Sequence, residues 1–347
     1  MTTMPFYGHF DLARHAELAC TENSRSEVRQ AVETKWKRNL LLFYIKSNWN
    51  PKFTLFYIIL SAILPFCSHA QILRVHPEEI KEHLYTSEAY FNDKFIALNQ
   101  IKSINGQLQI KKDLQPIQET QRSYYYGFDK AGMLIQQFEI YPVSNQNTDT
   151  TFFNYLYNPN GQIQLKRTND AQGFFSYKYE YNTNQKITGY RYSRDSEKKG
   201  GKSIVVFSET YEYTDWGENT YQRKIINDIG KCYKEEVFEY DKFDNLIEQS
   251  YQFVVTGKKG ITTYEYDYYG RLLKKTEHSR VIKKLETITV FEYDKVGNLL
   301  SEKVSLNGKL IKTKEFLYDK QMLLTAQLTK DEASGTIEIL KFTYEFY

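Results

Sequence analysis

Cysteine, histidine and recognisable catalytic motifs are all scarce in this sequence. The 347 residues include three cysteines and six histidines, and Cys232 is the only cysteine after residue 70. One cysteine excludes an intramolecular disulfide framework. The sequence also lacks the Gly-x-Ser-x-Gly, His-Glu-x-x-His and Cys-x-x-Cys patterns of common hydrolases and metalloproteins. We therefore predict no catalytic residue, no metal ligand and no cofactor, and we expect the protein not to be an enzyme.

Long apolar runs are also scarce, with one exception. Fourteen uncharged residues, 53–66, follow Lys52 and precede Cys-Ser-His-Ala. A basic flank, an apolar core of this length and small residues at its end are typical of a secretory signal peptide. We predict cleavage after Ala70 and a secreted, periplasmic or cell-surface location. The run is too short for a comfortable transmembrane helix, so no membrane span is expected after cleavage.

Fifty residues precede this leader, more than an ordinary leader carries. Either translation starts inside the printed sequence, near residues 40–42, or the extension is real and the apolar run is a signal anchor. Cys67 makes lipidation a further alternative, although bulky Phe66 stands where lipoprotein signals carry a small residue. The resulting organisation is a non-conforming extension (1–50), a signal peptide (51–70), a lead-in or cap (71–121) and a repeat array (122–347).

Removal of residues 1–70 would leave a chain with no net charge. The whole chain has 46 basic and 43 acidic side chains, of which eight and five lie in residues 1–70, leaving 38 of each. A neutral mature chain gives no electrostatic argument for nucleic acid as a partner.

Tyrosine, by contrast, is abundant, with thirty residues. Most of the excess belongs to a repeat with a period of about 26 residues. The consensus of the eight copies reads aromatic-x-aromatic-Asp-x-x-Gly-x-Leu, with Asp in five copies, Gly in five and Leu or Ile in seven, and it is best seen in VFEYDKFDNL, TYEYDYYGRL and VFEYDKVGNL. The second aromatic residues are Phe128, Tyr157, Tyr181, Tyr213, Tyr240, Tyr266, Tyr293 and Tyr318, and a partial ninth copy ends the chain at Tyr344. The residues that define the turn include Asp241, Asp267, Asp294, Gly270 and Gly297.

The repeat predicts one bend between two strands. Two aromatics at period two leave the same face of a strand, and Asp followed three residues later by Gly is typical of a type I turn. Asn307-Gly308 predicts a second, tight hairpin turn. The fold class is therefore all-β, an antiparallel meander of about eight to nine strand-turn-strand repeats. About seventeen strands exceed an ordinary open sheet, so we expect a curved or spiralling one.

The lead-in is expected to contain a short helix near residues 77–85 and a hairpin around Asn105-Gly106. We predict that it covers the first edge of the sheet, because an uncovered edge invites aggregation.

Two features of the repeat admit functional alternatives. The turn aspartates could bind Ca²⁺, but each turn supplies one carboxylate where calcium needs six or more oxygens, which favours turn capping. The aromatic pairs could form a glycan-stacking platform, but their period favours a buried face. Tyr268, Tyr269 and Tyr251 are the candidate ligand contacts, since we expect them to be exposed.

The segment Tyr-Glu-Tyr-Asp-Tyr-Tyr-Gly-Arg-Leu at 264–272, with its degenerate copies, resembles the tyrosine-aspartate (YD) repeat of the Rhs family. That family includes bacterial polymorphic toxins, insecticidal toxin complexes and teneurins. The resemblance extends from Ser123 onward and implies a strand-turn-strand ribbon that spirals into a hollow shell. The array is short, and it lacks the family's Asp-Pro-x-Gly element, core motif and toxin domain.

We therefore expect an exported bacterial repeat protein with a non-enzymatic binding or structural role at the cell envelope. Its partner would be a protein or a glycan at the cell surface. One alternative is a shortened carrier or accessory component of a polymorphic toxin system. Another is a glycan-binding or glycan-acting protein, and an enzyme would need carboxylates such as Glu236, Glu239 or Asp267 to converge.

Overall fold

The computed structural model describes residues 71–73, 75, 91–143, 148–170, 172–184, 186–195, 203–279 and 285–347. The extension (1–50), the leader (51–70) and the helix expected near residues 77–85 lie outside these ranges. Within them, no helix has the length and apolar character needed to cross a membrane.

One short helix and eighteen strands make up the described chain. They are α1 (Asp93–Leu98), β1 (Ile101–Lys111), β2 (Gln118–Phe128), β3 (Leu134–Pro142), β4 (Thr148–Tyr157), β5 (Ile163–Asp170), β6 (Gly173–Tyr181), β7 (Ile187–Arg194), β8 (Ile204–Gly217), β9 (Thr220–Asn227), β10 (Cys232–Tyr240), β11 (Leu246–Phe253), β12 (Lys259–Tyr266), β13 (Leu272–Ser279), β14 (Leu285–Tyr293), β15 (Leu299–Leu306), β16 (Lys309–Tyr318), β17 (Leu324–Asp331) and β18 (Ile337–Phe346).

The strands close into a barrel. Each strand pairs antiparallel with the next along the chain, and β1 pairs with both β2 and β18. Ile104, for example, lies opposite Tyr126 on one side and Tyr344 on the other. The all-β antiparallel prediction is confirmed, whereas the open curved or spiralling sheet is wrong. Closure is favoured because it removes the two edges that an open sheet would expose.

The partial ninth copy explains how closure is reached. Its aromatic strand is β18, which carries Phe342 and Tyr344, and its returning strand is β1 from the start of the array. Nine hairpins thus give eighteen strands. The lead-in covers the first edge of the sheet through β1, which pairs with β2 and, on its other side, with β18.

The hairpin expected at Asn105-Gly106 is wrong. Both residues lie in the middle of the continuous strand β1. The glycine serves close packing, since a Cβ at Gly106 would lie 3.0 Å from Cδ1 of Leu340 and 3.4 Å from Cβ of Tyr124. The turn at Asn307-Gly308 is confirmed between β15 and β16, with φ of 47° and 80°.

Turn capping by the repeat aspartates is confirmed. In the β12–β13 turn, Asp267 Oδ1 accepts hydrogen bonds from the backbone N–H groups of Tyr269 and Arg271, both at 2.9 Å. Gly270 has φ of +77°, the left-handed region that glycine tolerates best. Asp244 takes that position in the β10–β11 turn, with φ of 66°.

A β-bulge follows the turn in seven copies. The second aromatic residue pairs with the residue six positions later, and the ladder then skips one residue of the returning strand. In the seventh copy, Tyr293 pairs with Leu299, while Glu292 pairs with Ser301. Bulges of this kind bend strands and increase their twist, which helps a sheet to close.

Tyrosine hydroxyls link seven of the copies to the copy before. Tyr293 Oη donates a 2.8 Å hydrogen bond to the carbonyl oxygen of Leu272, the residue that begins the returning strand of the preceding copy. Six more tyrosines make the equivalent bond at 2.6–2.9 Å, namely Tyr157, Tyr181, Tyr213, Tyr266, Tyr318 and Tyr344. The rings cover the aliphatic residues below them, and Leu272 is only 2 % exposed. We term this arrangement the tyrosine ladder.

The buried face of the sheet is the interior of the barrel, since the described residues contain no other element that covers the outside. The outer face carries charged side chains in phase with the pleat. Glutamates directly before the second aromatic residue are exposed in five successive copies: Glu180, Glu212, Glu239, Glu265 and Glu292.

The described part of the lead-in packs on one end of this interior. The Phe91 ring makes edge contacts with Tyr126 at 5.0 Å and with Phe128 at 5.7 Å between centroids. Helix α1 lies against the β2–β3 turn, where a Cβ at Gly132 would overlap the carbonyl oxygen of Asp93.

Candidate functional site

The turns inside the repeat copies all lie at one end of the barrel, because alternate connections of an antiparallel meander share an end. We term this end the turn rim, formed by the turns after β2, β4, β6, β8, β10, β12, β14 and β16. In most turns its exposed side chains are mainly the two residues at the tip, and in the β8–β9 hairpin they extend over residues 214–219.

Three successive turns of the rim expose aromatic rings. Trp216 in the β8–β9 hairpin is 57 % exposed, Phe243 in the next turn 66 %, and Tyr268 and Tyr269 in the turn after that 97 % and 78 %. Neighbouring turns are two strands apart, so the rings recur about every 10 Å along the rim. These four residues form the rim aromatic sector.

Local contacts hold the sector in place. Arg271 bonds Asp267 through Nε and Nη2, both at 2.6 Å, and its guanidinium lies 5.2 Å from the centroid of the Tyr269 ring. The Tyr268 ring meets the Tyr269 ring edge-on at 5.6 Å. The Asp267 cap therefore orients one ring through Arg271 and leaves the other at the tip, almost fully in solvent.

Tyr251, the third predicted ligand contact, lies elsewhere. Its ring packs over Gly260, where a Cβ would lie 2.6 Å from ring atoms, and Lys234 Nζ sits 4.7 Å from the ring centroid. The structure brings Tyr268 and Tyr269 together and places Tyr251 against the interior wall. Ligand contact by any of the three remains a prediction.

A second cluster lies inside the barrel on β8, β9 and β10. Arg223 and Glu236 are fully buried and meet at 2.8–2.9 Å, and Lys234 Nζ lies 3.0 Å from the other Glu236 oxygen. Arg223 also sits 5.0 Å from the Phe238 ring centroid. Burial lowers the pKa of Lys234, and the neighbouring Glu236 carboxylate opposes that shift.

The same cluster holds a second carboxyl group. Glu209 accepts hydrogen bonds from Tyr211 Oη at 2.8 Å and from Tyr233 Oη. Burial raises the pKa of Glu209, while the two tyrosine hydroxyls act in the opposite direction. Two cations and two carboxyl groups thus balance one another, which suits a structural network. Glu239 faces outward and Asp267 caps a turn, so the carboxylates named for an enzyme do not converge with Glu236.

A lone buried lysine marks the second copy. Lys166 is 6 % exposed, and its Nζ lies 4.8 Å from the Phe153 centroid and 5.6 Å from the Tyr177 centroid. Burial lowers the pKa of this amine to about 7.

Sequence reasoning missed Trp216, Phe243 and the interior cluster. The first two occupy the same turn position as Tyr269, three residues after the second aromatic, so alignment of the copies was the available signal. Glu236 and Lys234 lie two and four residues before Phe238, in phase with the buried face.

No protein-family model matches the chain, and no curated protein matches it. Among solved structures, a porin-like protein from Bacteroides uniformis aligns with TM-score 0.36 and 13 % identity over 71 % of this chain and 97 % of that one. A porin-like protein from Bacteroides vulgatus gives TM-score 0.27 and 10 % identity over 58 % and 95 %. The Photorhabdus luminescens Tc holotoxin pore gives 0.20 and 12 % over 62 % and 14 %.

Proposed function

We propose that this protein is an exported, non-enzymatic binding protein of a bacterial cell envelope, and that it binds through the rim aromatic sector. The observation that carries the proposal is that aromatic residues on the strands are buried, whereas those of the rim aromatic sector are exposed to solvent. Along the strands, Tyr264, Phe291 and their equivalents are 0–6 % exposed, whereas the rim rings stand in solvent on adjacent turns. Clustered exposed apolar groups mark interaction sites in soluble proteins.

The barrel suits such a role as a scaffold. The tyrosine ladder fixes seven copies against the copy before, and a 3.3 Å contact between the Tyr221 and Tyr240 hydroxyls takes its place at the fifth copy, so buried contacts hold the turns in position. Binding residues on loops that a rigid framework positions are a common arrangement. The outer face is charged, as at Glu239 and Glu265, and charged side chains are costly against lipid, which favours an aqueous setting for the wall.

Export rests on the leader ending at Ala70. The test is intact mass and N-terminal sequencing of the protein recovered from its native host after separation into cytoplasm, membrane and exported pools. A chain beginning at Gln71 in the exported pool supports the proposal. A chain that retains residues before Lys52 in the membrane pool contradicts cleaved secretion.

Binding is tested by sedimenting the purified full chain with isolated cell envelopes. The double variant Tyr268→Ser/Tyr269→Ser should bind about 30-fold more weakly, because truncation of an aromatic hot-spot residue costs more than about 1 kcal/mol. The matched control is Val254→Ser/Val255→Ser, a pair of exposed apolar residues in the β11–β12 turn at the other end. Equal loss in both variants would contradict a site on the rim.

Barrel closure favours one second candidate, a shortened carrier of a toxin system as the Rhs resemblance implies. An eighteen-stranded barrel is wide enough to leave an interior space. Such a carrier should protect a co-produced, unfolded polypeptide from protease in the intact barrel. Digestion of that polypeptide at the same rate with and without the barrel would dismiss this candidate.

A further inference from the structure

The fourth copy extends beyond the turn rim. In five regular copies, the aromatic strand runs three residues past its last pairing with the preceding strand, as β12 does from Thr263 to Tyr266. Strand β8 pairs with β7 up to Thr210 and then continues for seven residues to Gly217. The extra residues, 214–217, pair with the start of β9 and form a projecting hairpin.

One edge of this hairpin is unpaired among the described residues. On the β9 side the ladder continues to the pair Gly217–Thr220, and the Tyr240 N–H donates to the Asn219 carbonyl oxygen at 2.9 Å, which ties β9 to β10. On the β7 side, the described residues place no strand beside 214–217. All four of these residues are exposed. Strand edges of this kind accept a further strand through main-chain hydrogen bonds.

We propose that the β8 edge at residues 214–217 binds an extended, basic peptide segment of a protein partner by strand addition. The proposal deepens the proposed binding role, on which it rests, by naming the class of partner. The projecting segment Thr-Asp-Trp-Gly-Glu-Asn at 214–219 has two acidic residues and no basic one. Asp215 and Glu218 are exposed and favour lysine or arginine on the incoming strand.

The same charges argue against a second copy as the occupant. Two hairpins paired edge to edge would bring Asp215 and Glu218 of both chains together, and like charges on adjacent strands are destabilising. A basic partner strand removes that repulsion. Trp216, next to the open edge, supplies an exposed ring against which an apolar side chain of the partner can pack.

The test uses a displayed library of random eight-residue peptides, selected against the purified full chain and then measured by fluorescence anisotropy with labelled peptides. Selected peptides should be rich in lysine or arginine. The double variant Asp215→Lys/Glu218→Lys should bind them on the order of 10-fold more weakly, since exposed charge pairs contribute up to about 1 kcal/mol each. The control Asp113→Lys/Asp228→Lys makes the same charge change at exposed sites at the other end and should leave affinity unchanged.

N-methylation of the peptide distinguishes strand addition from side-chain binding. Only alternate amides of an added strand face β8, so methylation at every second position should weaken binding about 10-fold per group, and methylation between them should not. Equal effects at all positions, unchanged binding to the double variant, absence of enriched peptides or an edge-to-edge dimer in light scattering would each overturn the inference. Envelope sedimentation that still depends on Tyr268 and Tyr269 would then leave the broader binding role intact.

Discussion

The fourth copy and the seven bulged copies solve the same packing problem in different ways. In a bulged copy, an aliphatic residue such as Leu272 is covered by the next copy's tyrosine, whose hydroxyl bonds its carbonyl oxygen. The fourth copy has Asn219 at that sequence position and no bulge beside Tyr213, which pairs with Arg223 instead. The following tyrosine, Tyr240, accordingly meets the Tyr221 hydroxyl at 3.3 Å.

The comparison shows that the interior face of this barrel can be filled in two ways. It is filled either by an aliphatic side chain under a tyrosine ring or by buried charges that neutralise one another. Where the aliphatic residue is missing, the interior carries Arg223, Glu236 and Lys234. Buried charges of this kind lose their hydration, so the cluster is stable only while each charge keeps its partner. In this copy, which has no bulge beside Tyr213, the β8–β9 hairpin extends beyond the rim.

The largest expected effect comes from breaking the charge balance. Glu236→Ala should lower the free energy of unfolding by about 4 kcal/mol, because it leaves Arg223 and Lys234 buried without their shared carboxylate. The matched control is Glu235→Ala, the adjacent residue, whose surface pair with Lys224 spans 4.0 Å and should contribute less than about 1 kcal/mol. Denaturant melts of both variants measure the two losses of stability. Equal losses would show that the stability of the interior cluster does not depend on its charge balance.

A regular copy should instead be most sensitive to its aliphatic residue. Leu272→Ala should cost about 3 kcal/mol through lost burial and a residual cavity. Leu273→Ala changes the neighbouring bulge residue, which is 37 % exposed, and should cost much less. A similar loss in urea titrations of both variants would show that the bulge does not separate an inner from an outer leucine.

Lys166 is a buried cation in a regular copy, and it should make the stability of the protein depend on pH. Burial lowers the pKa of this amine from 10.5 to about 7, so the folded state disfavours its charged form. The unfolded chain binds more protons than the folded chain between about pH 7 and 10.5, and stability therefore rises with pH across that window. Lys166→Met should be more stable than the wild type by about 2 kcal/mol at pH 6, after allowance for the lost ring contacts.

That advantage should shrink as pH rises towards 10.5, where both states of the wild type become neutral. Paired denaturant melts at pH 6, 8 and 10 measure it. A stability difference between wild type and variant that stays constant with pH would show that Lys166 titrates normally in the folded protein.

The tyrosine ladder should give a smaller effect. Tyr293→Phe removes one hydroxyl and leaves the Leu272 carbonyl without that donor, which should cost about 1 kcal/mol. Tyr268→Phe is the control, because that side chain is 97 % exposed, and its melting temperature should match the wild type. If Tyr268→Phe lowered the melting temperature and Tyr293→Phe did not, the hydroxyl bonds of the tyrosine ladder would not be stabilising.

The smallest expected effect concerns turn strain. Asp244 occupies φ of 66° where most copies carry glycine, so Asp244→Gly should raise stability by about 0.5 kcal/mol, and Gly270→Asp should lower it by a similar amount. Thermal melts of the two reciprocal variants should shift in opposite directions. Shifts of the same sign would show that the backbone angle is not the deciding factor.

The candidate site was predictable in part. Tyr268 and Tyr269 stand at a turn tip that the repeat itself locates, and Trp216 and Phe243 follow from aligning the copies at that position. The projection of the β8–β9 hairpin was not predictable, because it depends on how far β8 runs past its pairing with β7. Tyr251 was misplaced among exposed residues because its burial depends on Gly260 of the neighbouring strand.

The sequence by itself determined the strands, the turns and the inward face, because period-two aromatics, Asp caps and turn glycines act within a single hairpin. Only the tertiary structure decided that the sheet closes. Pairing of β1 with β18 joins residues more than two hundred positions apart, and no local pattern encodes it, since both strands would read the same in an open array. Closure depends on the accumulated twist of the seventeen preceding strand pairs. It also depends on the stability gained when the unpaired backbone groups of β1 and β18 form hydrogen bonds with each other.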